Sequence, residues 1–317
     1  MKNHLLATSA LFLTAGVASA ELTFSGKAQA GVIKSDDYSS AASAQPTAND
    51  TYMVYTGFDL DITASTTTDN GMTISATVDQ GSGWIADIAD KNLDSQSDTM
   101  GAPEVKVTYN GVTVELEDEG VQDYYDGDMN NYDLGISGAF GDLTYGVAIE
   151  TNRNEGAYTT TNSGTATASS GNDSDYSYMV GYSVAGVSVS VKTNQTTGGD
   201  KTKIVLGYTM GDLAFTATAD NKGSAKDVTT IAATYTAGPA KITLSGANDK
   251  DSNTNKNNRQ SWDLSVAYTT GAYTINASTN ESDAWEADVA YDLGGGATMF
   301  VAADDKETTM AGVTFAF

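Results

Sequence analysis

The sequence predicts an all-β protein, a closed up-and-down antiparallel sheet that spans a membrane. Three observations carry that expectation. A hairpin unit recurs through most of the chain, as in AYDLGGGATMF (Ala290 to Phe300), GYSVAGVSVSV (Gly181 to Val191), GYTMGDLAFTA (Gly207 to Ala217), TYTAGPAKITL (Thr234 to Leu244) and AYTTGAYTINA (Ala267 to Ala277). Each joins two alternating segments through a tight turn of Gly, Asp or Asn, the signature of a β-hairpin. Aromatic residues gather at strand ends, among them Tyr109, Tyr182, Tyr208, Tyr235, Tyr268, Trp285 and Tyr291, around a modest band of Val, Ile, Leu and Ala. That is the girdle pattern of a barrel in lipid. Backbone groups in hydrocarbon must all be paired, so such a sheet has to close on itself.

A repeat of roughly 25 to 35 residues implies one architecture rather than a string of domains. Some eight hairpins flanked by a strand at each end count to nearer 18 strands, or about 16 if one apparent hairpin is a loop. The 32 glycines and three prolines suit strands joined by tight turns.

Residues 1–20 read as a cleaved export signal. Lys2 supplies the positive start, Leu5 to Val17 is mostly apolar, and Ala18-Ser19-Ala20 is an A-x-A site with cleavage after Ala20. The mature domain is then 21–317, an exported protein. It has no cysteine, and the one histidine, His4, lies in the signal. Triads built on histidine and His-metal sites are thereby excluded from the mature chain. The net charge of −25 disfavours nucleic acid and anionic membrane surfaces as partners.

Along the mature chain the first strand is expected from Glu21 to about Lys34. Phe58, Leu60, Ile62 and Ala64 alternate with Asp59, Asp61 and Thr63 up to a turn at Asp69-Asn70-Gly71. Met72, Ile74, Ala76 and Val78 then alternate with Thr73, Ser75, Thr77 and Asp79. Trp84 to Met100 reads as a longer loop with room for a helical turn. Val105, Val107 and Tyr109 face away from Glu104, Lys106 and Thr108, and past Asn110-Gly111 the residues Val112, Val114 and Leu116 oppose Glu115 and Glu117. Polar stretches at Asp118 to Asn130, Asn152 to Asp175 and Asn248 to Asn258 read as loops, and Thr309 to Phe317 as the last strand.

At this point the chain resembles the general porins of the Gram-negative outer membrane, of the α-proteobacterial Rhodobacter type. The resemblance rests on Glu21-Leu22-Thr23-Phe24-Ser25-Gly26, Thr67-Thr68-Asp69-Asn70-Gly71-Met72-Thr73, Tyr109-Asn110-Gly111-Val112-Thr113-Val114, Tyr291-Asp292-Leu293-Gly294-Gly295-Gly296-Ala297 and the ending Gly312-Val313-Thr314-Phe315-Ala316-Phe317. It implies a trimeric sixteen-stranded barrel in outer-membrane lipid and lipopolysaccharide, built by the barrel-assembly machinery, with an inward loop forming a constriction. In the family that loop follows the strand opened by Tyr109-Asn110-Gly111. Here the position holds only Glu119 to Asn130, so a wider or differently built eyelet is expected. Val313, Phe315 and Phe317 resemble the C-terminal assembly signal.

The function expected is passive diffusion of ions and small hydrophilic solutes, with no enzymatic activity. By strand parity the lumen-facing acids are Asp59, Asp61, Asp79, Glu104, Glu115, Glu117, Asp133, Asp263, Glu286 and Asp288. The matching bases are Lys27, Lys106, Lys192, Lys203 and Lys241. Asp123, Asp126 and Asp128 would add negative charge if their loop folds inward, so a preference for cations is expected. Asp59 and Asp61 share a strand face, but nothing in view splits their pKa values as a hydrolase dyad requires. Asp126 to Asn130 and Asp249 to Asn253 imitate the start of an EF-hand without its glycine at six or glutamate at twelve. Solvated turns are the favoured reading, with loop-bound calcium as the alternative and no cofactor otherwise. The competing class is a secreted or surface adhesin binding through its Thr/Ser-rich loops.

Overall fold

The computed structural model describes residues 20–34, 52–96, 99–127, 130–151, 176–195, 199–223, 227–248 and 261–317. The strands are β1 (Glu21–Lys34), β2 (Tyr52–Thr67), β3 (Thr73–Asp87), β4 (Asn92–Ser95), β5 (Glu104–Tyr109), β6 (Val112–Gln122), β7 (Asn130–Phe140), β8 (Leu143–Ile149), β9 (Tyr176–Val184) and β10 (Val187–Gln195). They continue as β11 (Lys201–Met210), β12 (Leu213–Asn221), β13 (Val228–Ala237), β14 (Ala240–Ala247), β15 (Ser261–Thr270), β16 (Tyr273–Asn280), β17 (Trp285–Gly294), β18 (Ala297–Asp304) and β19 (Thr309–Ala316). No helix occurs among the described residues.

Every wall strand is antiparallel to its neighbours in sequence, and β1 pairs with both β2 and β19. The sheet is therefore a closed barrel of 18 strands, the upper of the two expected counts. The remaining strand, β4, pairs only with the end of β3 and stands outside the wall. The seam is completed at the chain end, where the Gly26 and Phe317 amides each donate to the other's carbonyl at 3.1 Å.

Turn chemistry fixes one rim. Asn110 and Gly111 both have positive φ, 48° and 78°, the two-residue I′ turn whose twist matches the flanking strands. At Gly238-Pro239 the glycine alone has positive φ, 57°, and proline's fixed φ suits the second position of a II′ turn. The turns at Gly141, Gly211 and Gly271 follow the same pattern. The strand ends that lead into the longer connections lie at the opposite rim.

The alternation sorts the faces. Val54 (74% exposed), Ile231 (62%) and Val301 (53%) lie on the outer face, where an apolar surface needs lipid. Tyr182, Tyr208, Tyr235 and Tyr268 stand on that face near the short-turn rim, and Trp262 and Trp285 near the other. Threonine pairs join strands across the inner face, Thr63 to Thr77 at 2.9 Å, Thr108 to Thr113 at 3.0 Å and Thr234 to Thr243 at 3.1 Å.

One sequence expectation fails in an informative way. Trp84 to Met100 reads in sequence as a longer loop with room for a helical turn. Instead β3 runs on to Asp87, and Trp84 to Asp87 pairs with Asn92 to Ser95 as a hairpin that leaves the wall. The departure begins at Gly83 (φ 77°), opposite Gly57. A Cβ at Gly57 would stand 2.4 Å from the Trp84 carbonyl oxygen, so only glycine lets the hairpin fold over β2.

Candidate functional site: a lumen narrowed from two sides

The inner face holds two inward-folded elements on opposite walls. The first is the β3–β4 hairpin. Ala86 and Leu93 are buried with Ile33 of β1, Tyr55 of β2, Phe300 and Ala302 of β18 and Met310 of β19. These partners alternate with outward residues such as Val32, Val54 and Val301, so the cluster lies inside the barrel. Gly31 and Gly312 pair across the seam, and the Tyr55 ring lies over both: a Cβ there would come within 2.5 and 2.7 Å of its hydroxyl oxygen. The Ala86 amide donates to Gln29 Oε1, while Gln29 Nε2 donates to Thr314 Oγ1 at 2.9 Å. At the tip, Lys91 is 5% exposed; its Nζ reaches Glu286 Oε2 of β17 at 3.4 Å and donates to the Ala89 carbonyl at 3.2 Å. The hairpin is thus tied to the wall at both ends.

The second element is the segment from Val121 to Gly127. Val121 is buried with Tyr132 and Ala148. Asp123, 2% exposed, accepts from Asn194 Nδ2 of β10 and from the Tyr125 amide at 2.7 Å. Tyr124 donates its amide to Ser177 Oγ at 3.0 Å, and its ring covers Gly146. The Tyr125 hydroxyl donates to Asp220 Oδ1 of β12 at 2.5 Å, Lys203 Nζ donates to the Tyr125 carbonyl at 3.0 Å, and that ammonium sits 4.5 Å from the ring centroid. Burial first, then the hydrogen bond to Asp220, pushes the Tyr125 hydroxyl well above its ordinary pKa. It stays a neutral donor.

Between these elements the acids named from sequence stand on β2, β3, β5 and β6. Asp61 lies directly opposite Asp79. Asp59 lies opposite Lys27 with 3.8 Å between Nζ and Oδ2. Lys106 contacts Glu104 and lies 3.5 Å from Glu115, its cross-strand partner. Glu117 completes a group whose carboxylate oxygens with Glu104 and Glu115 lie within 4.8 Å of one another. Three acids so close could ligate a cation, but the Lys106 ammonium already sits among them. Asp123 is folded inward yet held by N–H donors, Asp126 is half-buried on the same segment, and Asp128 lies outside the described residues. Asp133, expected by parity to face the lumen, accepts the amides of Glu119 and Thr151 at 3.1 and 2.9 Å near the strand ends. The calcium-like stretch Asp249 to Asn253 lies outside the described residues, as does part of Asp126 to Asn130.

Sequence reasoning missed the hairpin residues Asp87, Asp90, Lys91 and Asp94. The signal that could have found them is Gly81-Ser82-Gly83, two glycines late in a strand, which mark a bend or close backbone approach. On the hairpin, burial and the neighbouring Asp87 and Asp90 raise the Asp94 carboxyl above its ordinary pKa, with Lys27 opposing.

A closed antiparallel barrel with an apolar outer face, a polar inner face and inward segments narrowing the lumen defines a membrane channel of the outer-membrane type. Residues 7–312 match the Gram-negative porin family, and the chain belongs to it. Among solved structures, a multiple mutant of Rh. blastica porin is 17% identical with a TM-score of 0.53, covering 93% of this chain and 100% of that one. A triple mutant of Rhodopseudomonas blastica porin is 16% identical with the same score and coverage. A third structure, described as "Asymmetric conductivity of engineered proteins", is 17% identical, scores 0.53 and covers 94% of this chain. These show a shared fold. No curated protein matches the sequence.

Proposed function

We propose that the chain forms a water-filled outer-membrane channel through which ions and small hydrophilic solutes diffuse passively, with a preference for cations. Family and fold point to a channel rather than an enzyme. The observation that carries the preference is the row of inner-face carboxylates on β2, β3, β5 and β6, where Asp61 faces Asp79 and Lys27 and Lys106 are the cations seen paired with the row. The hairpin adds three aspartates against one lysine. Like charge on facing walls attracts cations and repels anions. The Debye length of ~10 Å at 0.1 M salt is comparable to a pore radius, so the preference weakens as salt rises.

Asp59, Asp61, Asp79, Lys106, Glu115 and Glu117 are the residues that line the passage in this reading. The finer assignments travel with it: export by a signal cleaved after Ala20, assembly through Val313, Phe315 and Phe317, a homotrimer, and contact with lipopolysaccharide. An adhesin would have to expose the outer apolar face to water, which counts against it. The test is the reversal potential in a KCl gradient. Cation selectivity that moves toward zero in the double variant Asp59→Asn/Asp79→Asn is expected; an anion-selective wild type, or an unmoved potential in the variant, refutes the preference.

A further inference from the structure

The charges of the inner face are not evenly spread. The wall formed by β14 to β17 differs from the acidic wall across the lumen, and the hairpin tip stands over it. Two successive rows of cross-strand neighbours form this floor. Lys241, Ala267, Asn276 and Asp288 lie in one register, and Thr243, Ser265, Ser278 and Glu286 in the next. Ala89 and Lys91 of the hairpin roof it, leaving a cleft of about 290 Å³. At roughly 30 Å³ per water that is room for about ten waters, or one small solute.

The charge pairing inside this cleft is incomplete in a specific way. Glu286 is spoken for: Lys91 sits at 3.4 Å on one oxygen and Ser278 Oγ donates to the other at 2.8 Å. Asp288 accepts from Asn276 Nδ2 at 2.9 Å and has no cationic partner among the described residues. Lys241 likewise makes no ion pair among the described residues. One cation and one anion therefore remain open in the same register row, three strand steps apart. At ~4.8 Å per step their backbones are ~14 Å apart, and the long Lys241 stem shortens the gap. Ala267, between them, leaves the floor low.

We propose that this cleft is a weak binding subsite for a small zwitterionic solute of the amino-acid or dipeptide type. Asp288 takes the ammonium, Lys241 the carboxylate, and Asn276 and the hydroxyl row the polar atoms between. The proposal rests on the channel reading above, since the solute reaches the cleft only through the lumen. A site with two opposite, unpaired charges discriminates against a neutral solute, because that solute leaves both charges unanswered while displacing their water.

The experiment uses the full-length barrel in planar bilayers at 0.1 M KCl, with glycylglycine as the probe and N-acetylglycinamide as an uncharged solute of similar size. Glycylglycine is expected to reduce single-channel current saturably, and N-acetylglycinamide only through bulk viscosity. In Lys241→Met and in Asp288→Asn, each compared with its own current without solute, the half-saturating concentration should rise at least tenfold. Equal effects of the two solutes, or unshifted saturation in both variants, overturn the subsite. A protein that carries no current in KCl alone overturns the channel reading instead.

Discussion

Truncating Leu93 to alanine isolates the contribution of the inward hairpin. Leu93 is 7% exposed and is the one large apolar side chain that β4 contributes to the cluster around Tyr55, Phe300 and Met310. Leu→Ala in a well-packed core costs about 2–5 kcal/mol. Here the lower half of that range applies, because β4 is four residues long, Asp94 and Ser95 beside Leu93 are exposed, and the site can partly collapse. The wall is paired independently of the hairpin, so the loss falls on docking rather than on the barrel. At 1.4 kcal/mol per tenfold, about 2–3 kcal/mol lowers the ratio of docked to undocked hairpin by roughly 30- to 150-fold. Single-channel recordings should then show a larger mean conductance and added flicker, while heat-modifiable migration on gels shows the barrel still folded. A wild-type conductance and noise spectrum in folded Leu93→Ala protein would refute the idea that this hairpin narrows the lumen.

Val266→Arg should cost about 2–4 kcal/mol in a urea titration of lipid-embedded protein if it lies near the midplane, whereas Ser265→Arg, one residue along on the inner face, should be tolerated. Equal costs would show that the faces of the strand Trp262, Leu264, Val266, Tyr268 are misassigned. Deleting Phe317 removes the two seam hydrogen bonds to Gly26 and should sharply lower the assembled fraction, measured as heat-modifiable protein in membranes; undiminished assembly would sink the signal assignment. Burial, Asp87 and Asp90 raise the Asp94 pKa in the folded hairpin, so ionised Asp94 weakens the hairpin at neutral pH, and protonation strengthens it as pH falls through the range just above its free value of ~3.9. Asp94→Asn should bring the firmer hairpin to neutral pH and reduce the acid-dependent fall in open-channel noise; an unaltered pH profile would show that this carboxyl is not the titrating group.

The local physics of the chain is sufficient for the barrel. Strand alternation has a period of two, so Phe58 and Leu60 against Asp59 and Asp61 assigns faces without any knowledge of neighbours, and Asn110-Gly111 or Gly238-Pro239 fixes a turn from four residues of context. Closure also follows, since lipid tolerates no open edge, and the family resemblance points to the same barrel. The lumen is different. Ile88 and Leu93 read as stray apolar residues in a loop because what they pack against is a surface assembled from β1, β2, β18 and β19, which meet only when the first and last strands pair. Asp123 reads as a free acid until Asn194, 71 residues away, is brought against it. Lys91 and Glu286, 195 residues apart, form a tie that no spacing could announce. Sequence by itself determined which residues face lipid and which face water, because that is decided within each strand. Only the tertiary structure decided the distant partners, such as Lys91 with Glu286 and Asp123 with Asn194, because those distances run across the barrel rather than along the chain.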